Sequence, residues 1–273
     1  MCYAASCAKF FFPKIDLLLK GRSFVHTRRL LTPGFLVLFL VSSTAAQHAA
    51  LHSAVMPTPR DKSSWLERHE AINARIEQGQ VNLLWIGDSI IEGWEDSGKS
   101  VWDHYYAHRQ AVNLGISGDR TEHVLWRLDH GNIKDIAPAL AIVMIGQNNG
   151  PHNSAEEIAE GITAIVERLR SNLPDAKILL LGVFYRGEKP DNEWEKLSAV
   201  NRTIAALADN AHVFYRDVNY CFHREDGTIN PRLMPDYEHP GEEGYALWAQ
   251  AMEGIISRLL GDNAIDGASP YLR

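Results

Sequence analysis

Three residues that could take part in acyl transfer each follow an apolar segment of the sequence. They are Ser89, Gly118 and Asn148. A serine hydroxyl can attack an ester carbonyl. The N–H groups of a glycine backbone and of an asparagine side chain can stabilise the oxyanion that then forms. The three residues therefore have the chemistry of a nucleophile and its oxyanion donors.

A serine nucleophile needs a base that is itself held in orientation. His239 follows Asp236 by three positions, so a helical turn would bring both side chains to one side. Asp236 could then accept a hydrogen bond from Nδ1 of His239. The same pattern also fits a histidine that merely precedes Pro240 in a loop, and this segment alone leaves both interpretations open.

The first three residues have structural explanations as well. Ser89 lies where a helix N-cap is common, Gly118 suits a turn, and Asn148 suits a loop. Taken one at a time, these positions do not decide between a structural and a catalytic interpretation.

The hydrophobic pattern predicts the elements that would position these residues. Short apolar segments bounded by Gly, Asp, Pro or Asn predict buried strands at 81–86, 111–114, 140–145, 177–183 and 212–218. Helical patterns alternate with them at 65–78, 90–94, 122–128, 155–173, 194–209 and 242–260. This alternation predicts an α/β protein, because parallel strands need crossover connections.

We therefore expect a three-layer α/β/α sandwich around a mostly parallel, five-stranded, flavodoxin-like sheet. In such sheets ligands bind beyond the carboxyl ends of the strands. Ser89, Gly118 and Asn148 all follow predicted strands, so the fold would place them at that edge.

Four sequence blocks, taken in chain order, resemble the SGNH (GDSL-type) hydrolase superfamily. They are Ile86-Gly87-Asp88-Ser89, the block that ends at Gly118, Gly146-Gln147-Asn148-Asn149, and Asp236 to His239. More narrowly, residues 113–128, 146–149, 226–228 and 236–239 are similar to the catalytic subunits of intracellular platelet-activating-factor acetylhydrolase. The likeness spans about residues 80–260.

The resemblance implies a role for each matching residue. Ser89 would be the nucleophile, His239 the base and Asp236 the group that orients it. The oxyanion hole would consist of the Ser89 N–H, the Gly118 N–H and the Asn148 side chain. The wider superfamily often has Asp after the asparagine, whereas this chain has Asn149, as the acetylhydrolase subunits do. The role of that second position stays open.

The resemblance implies a serine esterase, and a small acyl group such as acetyl, because the narrower likeness is to an acetyl-removing enzyme. An O-acetylated carbohydrate is the expected substrate, and a phospholipid-like ester is the alternative. No metal or organic cofactor is expected. An alternative of another class is a non-enzymatic, flavodoxin-like domain that binds a ligand at the same crevice.

The N-terminus predicts export to the periplasm or the medium. Residues 1–46 carry six basic residues against one acid, then a short apolar segment and small residues, in the order of a secretory signal peptide. The apolar segment is too short to predict a membrane anchor. We predict a flexible leader at 47–62, the hydrolase domain at 63–262 and a loose tail at 263–273.

Composition excludes several classes of protein. A formal net charge of −7, with 22% charged residues of both signs, argues against nucleic-acid binding and against disorder. Removal of the signal peptide would leave Cys221 alone, so no intramolecular disulfide is expected. His104 and His108 have the i, i+4 spacing of zinc ligands, but no third ligand follows, and we expect them on a solvated face.

Overall fold

Five parallel strands form the sheet in this computed structural model, which describes residues 51–265. In chain order, β1 to β5 are Leu83–Gly87, Ala111–Gly115, Leu140–Met144, Lys177–Leu181 and Val213–Arg216. Their order across the sheet is β2-β1-β3-β4-β5. This is the order of a flavodoxin-like sheet, and it confirms the predicted α/β fold.

Within residues 51–265, seven α-helices connect and cover the strands. In chain order, α1 to α7 are Ser63–Glu77, Ser89–Glu92, Lys99–Tyr105, Thr121–Asp129, Ala155–Asn172, Asn192–Ala205 and Glu242–Leu260. The sequence predicts six of them, and α3 is the one it misses. Among residues 51–265, no helix combines the length and apolar character needed to cross a membrane.

The two faces of the sheet carry separate hydrophobic cores, because successive strand residues point to opposite sides. Leu84 and Ile86 of β1 pack into one core together with α1, α4, α5 and α6. Leu83 and Trp85 pack into the other, with α2, α3 and α7. The molecule is therefore the predicted three-layer sandwich.

Residues 51–62 of the predicted leader pack against the domain. Ser53–Val55 form a short 3₁₀ turn, and the Ala54 side chain is fully buried. The Thr121 hydroxyl donates to the Ala54 carbonyl at 2.8 Å, and the Thr58 N–H donates to the Glu122 carbonyl at 3.1 Å. The predicted signal peptide, residues 47–50 of the leader and residues 266–273 of the tail lie outside the described residues.

Candidate active site

The strand order brings the three polar segments of the sequence together. Strand β1 lies between β2 and β3, so the loops that follow these strands are neighbours at one edge of the sheet. Ser89 follows β1, Gly118 follows β2 and Asn148 follows β3. The direction of connection changes at this point of the sheet, which is where flavodoxin-like folds form their ligand crevice.

Ser89 is the first residue of the short helix α2. The side chain of Asp88 caps this helix by accepting a hydrogen bond from the Ile90 N–H at 3.1 Å. The helix lies directly against β2, since a Cβ atom on Gly115 would be only 2.2 Å from the Glu92 backbone nitrogen. Position 115 must therefore be glycine for α2 to pack this closely against β2, and this packing sets the position of Ser89.

The loop before α7 brings His239 to the serine. Its Nε2 lies 2.9 Å from Oγ of Ser89, and its Nδ1 lies 2.8 Å from Oδ2 of Asp236. Oδ1 of Asp236 accepts hydrogen bonds from the backbone N–H groups of Glu238 and His239. Tyr237 between them has a φ of +59°. The structure therefore brings Ser89, His239 and Asp236 into one hydrogen-bonded chain.

This chain of side chains lies at the surface. The side chain of His239 is 39% exposed and that of Asp236 is 58% exposed. Partial burial alone would raise the pKa of Asp236, but the hydrogen bonds from His239 and Glu238 hold it below its ordinary value. The Asp236 carboxyl group is therefore ionised at neutral pH and can stabilise a positive charge on the imidazole.

Gly118 lies in a tight turn at a φ of +76°, a region that favours glycine. Glu92 holds the preceding residue, because its carboxylate accepts hydrogen bonds from both the N–H and the hydroxyl of Ser117. Within residues 51–265, no hydrogen-bond acceptor occupies the Gly118 N–H. This N–H is available to a ligand.

The side-chain amide of Asn148 lies next to the serine segment. Its Nδ2 donates to Oδ2 of Asp88 at 3.2 Å and to the backbone carbonyl of Asp119 at 3.0 Å. Both amide hydrogens have protein acceptors in this arrangement. An oxyanion bound to the Asn148 amide would therefore share one of these hydrogens with Asp88 or with the Asp119 carbonyl.

Asp88 is 2% exposed and is the residue that links Asn148 to Ser89. Burial raises the pKa of its carboxyl group to about 7, well above the ordinary value of 3.8. The sequence does not indicate this raised pKa, because Asp is a common N-cap residue directly before a helix.

Asn149, whose role the sequence leaves open, joins two loops of the site. Its Oδ1 accepts the Thr121 N–H at the start of α4, and its Nδ2 donates to Glu122 and Asn153 at 3.1 and 3.0 Å. Asn149 is fully buried. A carboxylate could not donate to Glu122, which explains why Asn rather than Asp stands here.

A buried ion pair that no sequence pattern indicates lies below the site. Asp119 accepts hydrogen bonds from Arg127 Nε at 2.8 Å and from Trp65 Nε1 at 2.6 Å. Asp119 and Arg127 are both fully buried. The pair anchors the segment that carries Gly118 to α4 and α1, since Arg127 lies on α4 and Trp65 on α1.

A polar cavity of about 700 Å³ opens beside Gly118 and Asn148. The residues that line it come from the leader, from the loop after β2 and the start of α4, from the loop after β3, and from the segment after β4. They are Thr58, Pro59, Arg60, Asp61, Lys62, Gly118, Arg120, His123, Asn148, Pro151, His152 and Arg186. Of these residues, only Gly118 and Asn148 belong to the sequence blocks that mark the site, so the sequence could not assign the remaining residues to it.

Among residues 51–265, no group of three or more His, Cys, Asp or Glu side chains is arranged to hold a metal ion. His104 and His108, which have the spacing of zinc ligands, are exposed on the surface.

Comparison with known proteins identifies the family. The sequence model of the GDSL-like Lipase/Acylhydrolase family matches residues 85–247. The chain is 33% identical over 222 residues to platelet-activating factor acetylhydrolase IB subunit alpha1 of Bos taurus, covering 80% of this chain and 94% of the relative.

Two solved structures have the same fold. One is a crystal structure described as a putative acylhydrolase from Bacteroides fragilis, with a TM-score of 0.61 and 19% identity, covering 74% of this chain and all of the other. Another is an acetylxylan esterase from Geobacillus stearothermophilus, with a TM-score of 0.54 and 21% identity, covering 68% and 96%.

The protein is a carboxylic ester hydrolase. It belongs to the GDSL-like lipase/acylhydrolase family, within the SGNH superfamily that the sequence blocks resemble. The family supports the enzyme hypothesis over that of a non-enzymatic flavodoxin-like binder.

Proposed function

We propose that the protein is a serine esterase that removes small acyl groups, above all acetyl, from an O-acetylated carbohydrate. Ser89 is the nucleophile, His239 the base and Asp236 the residue that orients it. The observation that carries this proposal is the continuous contact from Ser89 Oγ to His239 Nε2 at 2.9 Å and from His239 Nδ1 to Asp236 at 2.8 Å.

The reaction proceeds by two acyl transfers. His239 takes the proton of Ser89 as the hydroxyl attacks the ester carbonyl, and the alcohol leaves with that proton. Water then attacks the acyl-serine with His239 as base, and the acid is released as the serine regains its proton. The Asp236 carboxylate stabilises the imidazolium that forms in each step.

The oxyanion of each tetrahedral intermediate is stabilised by three donors: the N–H groups of Ser89 and Gly118 and the amide of Asn148. Asp88 and the Asp119 carbonyl fix the Asn148 amide before the substrate binds. The oxyanion would share one amide hydrogen with its protein acceptor, while the other hydrogen bond keeps the amide in position.

The lining of the cavity supports a hydrophilic substrate. Its apolar groups are mainly those of Pro59, Pro151 and Thr58, and no Leu, Ile, Val, Phe, Met or Trp of residues 51–265 lines it. A lipid-like alcohol part of the ester would find little apolar surface there, whereas the hydroxyls of a sugar would find many hydrogen-bond partners. The acetylxylan esterase with the same fold offers a precedent.

A phospholipid-like acetyl ester is the second candidate substrate. It is favoured by the 33% identity to a platelet-activating factor acetylhydrolase subunit. Comparing hydrolysis of an acetylated sugar with that of an acetyl phospholipid would decide between the two, and a preference for the lipid would overturn the carbohydrate proposal.

Substitution of the triad and the oxyanion donor tests the catalytic proposal. Ser89→Ala should lower kcat by roughly 10⁶, because a triad acts as a unit, and Asn148→Ala by roughly 10² to 10³. Hydrolysis of p-nitrophenyl acetate measures both, and a fluorophosphonate probe should label the protein only when Ser89 is present. The matched control is Ser171→Ala, which alters an exposed serine at the end of α5. Full activity of Ser89→Ala would refute the assignment.

A series of acetyl, butyryl and octanoyl p-nitrophenyl esters tests the acyl-chain claim. We expect kcat/KM to be highest for acetyl, and a preference for octanoyl would contradict the small-acyl proposal.

Export also remains a proposal that rests on the signal-peptide pattern at 1–46. N-terminal sequencing of the protein from its native host would test it.

A further inference from the structure

The charged side chains that line the cavity beside the oxyanion donors are mainly cationic, although the chain as a whole is acidic. Among residues 51–265, the lining has four cationic side chains, Arg60, Lys62, Arg120 and Arg186, and one carboxylate, that of Asp61. Outside the lining, the carboxylates of Asp119, Glu122, Glu193 and Glu238 lie within 4 Å of the three arginines. The chain has a formal net charge of −7. A cluster of positive charge on an acidic protein attracts anions selectively to that cleft.

The arginines are held in place by neighbouring groups. Arg60 donates from Nη1 to the Ser117 carbonyl at 2.6 Å. Nε of Arg120 lies 2.7 Å from Glu122. Nη2 of Arg186 lies 2.6 Å from Glu193. A guanidinium has five N–H donors, so each arginine retains donors for a ligand after these contacts.

Lys62 differs from the arginines, because no carboxylate lies within 4 Å of its ammonium group among residues 51–265. It is also exposed. Its charge is therefore not balanced within the described part of the chain.

The cavity adjoins the proposed oxyanion donors. Gly118 and Asn148, which would contact the carbonyl oxygen, form part of its lining. On another side, Nη1 of Arg186 lies 3.8 Å from Glu238, the residue before His239. Arg186 thus stands close to the loop that holds the base, and the leader residues Arg60 and Lys62 belong to the same lining.

We propose that the substrate carries an anionic group on its alcohol part, bound by Arg60, Lys62, Arg120 and Arg186, and that this group is the carboxylate of an O-acetylated uronic acid. The inference rests on the proposed esterase function and specifies its substrate class. A phosphate would satisfy the same cations, because both anions accept two hydrogen bonds from one guanidinium.

A matched set of sugar esters tests the proposal with the full-length protein. The substrates are methyl glucuronoside, methyl glucoside and methyl glucoside 6-phosphate, each with one acetyl group at the same hydroxyl. We expect kcat/KM for the glucuronoside to exceed that for the glucoside by about tenfold or more at low salt. The advantage should shrink as ionic strength rises, since charge steering is screened.

Two variants test which residues cause the preference for the charged sugar. Arg186→Gln and Lys62→Gln should each lower the glucuronoside-to-glucoside ratio by about threefold or more. Lys134→Gln is the charge-matched control, because Lys134 is exposed in the loop that precedes β3, at the opposite end of the sheet, and should leave the ratio unchanged.

The outcomes separate this inference from the proposed function. Equal hydrolysis of the charged and neutral sugars would refute the anionic substrate and leave the carbohydrate esterase intact. A higher kcat/KM for the 6-phosphate than for the glucuronoside would refute the carboxylate assignment. Hydrolysis of p-nitrophenyl acetate with none of the three sugars accepted would refute both the inference and the carbohydrate proposal.

Discussion

Asn149 shows how a single side chain can join two loops of the site. Its amide oxygen accepts from the Thr121 backbone, and its amide nitrogen donates to the buried carboxylate of Glu122. An amide can do both at once, whereas an ionised carboxylate can only accept. The asparagine is therefore matched to its neighbour Glu122 and has no contact with Ser89 or His239 among its hydrogen bonds.

We expect Asn149→Asp to lower the free energy of unfolding by roughly 2–4 kcal/mol, because it removes buried donors and places two carboxylates together. Urea denaturation measures this loss. Adding Glu122→Gln to the variant should recover part of it, since the amide again supplies a donor. A variant as stable as the original protein would show that the Asn149–Glu122 contact does not stabilise the fold.

Asp88 makes the stability of the protein depend on pH. In the folded protein its pKa is about 7, and in the unfolded chain it returns to about 3.8. Between these values the folded state binds more protons, so the free energy of unfolding falls as pH rises through this interval. Above pH 7 the contribution is constant, and the charged carboxylate is buried at a cost.

Asp88→Asn should remove this dependence. The new amide oxygen can still accept the Ile90 N–H and cap α2. The new amide nitrogen faces the Asn148 nitrogen, so the hydrogen bond between these side chains is lost, and the cost of that loss does not vary with pH. Relative to the original protein, the variant should gain about 2 kcal/mol in stability between pH 5 and pH 8. Urea denaturation at both pH values measures the change, and an equal difference at the two would contradict it.

At the scale of whole elements, the contact between α2 and β2 sets the position of Ser89, the proposed nucleophile. A Cβ on Gly115 would lie 2.2 Å from the Glu92 nitrogen and 2.7 Å from the Ile91 carbonyl carbon. These are backbone atoms, so the clash can be relieved only by moving the helix that begins at Ser89.

Gly115→Ala should therefore reduce stability by about 2–3 kcal/mol and also lower kcat, since α2 carries Ser89 away from His239. The matched control is Gly254→Ala on the exposed face of α7, where a Cβ would meet nothing within 4 Å. That substitution should stabilise the protein by about 0.5–1 kcal/mol, because alanine favours helix. Thermal unfolding and esterase activity test the pair, and unchanged kcat in Gly115→Ala would contradict the positioning argument.

The elements themselves were largely predictable from the sequence. All five strands lie within or beside the predicted apolar segments, because burial on both sides of a parallel sheet leaves continuous hydrophobic stretches. Helix α3 was missed for a physical reason. Its sequence KSVWDHY has low helix propensity, and it is stabilised by burial of Val101, Trp102 and Tyr105.

The site was predictable only where a motif marked it. Ser89 and His239 could be named because four sequence blocks, taken in chain order, resemble a known superfamily, although 150 residues separate the two. Arg60 could not, since nothing in its sequence indicates the hydrogen bond to Ser117, 57 positions away. The buried pair of Asp119 and Arg127 likewise depends on packing that local patterns do not encode.

On the scale of the whole molecule, the segment before α1 completes the domain. Ala54 is buried against α4 and α5, and its carbonyl lies 2.7 Å from where a Cβ on Gly161 would be. Farther along, Arg60 and Lys62 contribute to the lining of the cavity. The leader therefore couples the packing of two helices to the surface on which we propose the substrate binds.

Ala54→Asp should release this segment, because an unpaired carboxylate is too costly to bury beside two helices. We expect the midpoint of thermal unfolding to fall by about 2–4 °C for each kcal/mol of stabilisation that the packed leader no longer contributes. Trypsin should also cleave faster near Arg60. KM for an acetylated sugar should rise, since two cations leave the cavity. Met56→Asp places the same charge two residues away on a side chain that is 46% exposed, and should alter none of these readouts. If both variants melted and bound substrate like the original protein, the leader would not stabilise the domain or form part of its substrate site.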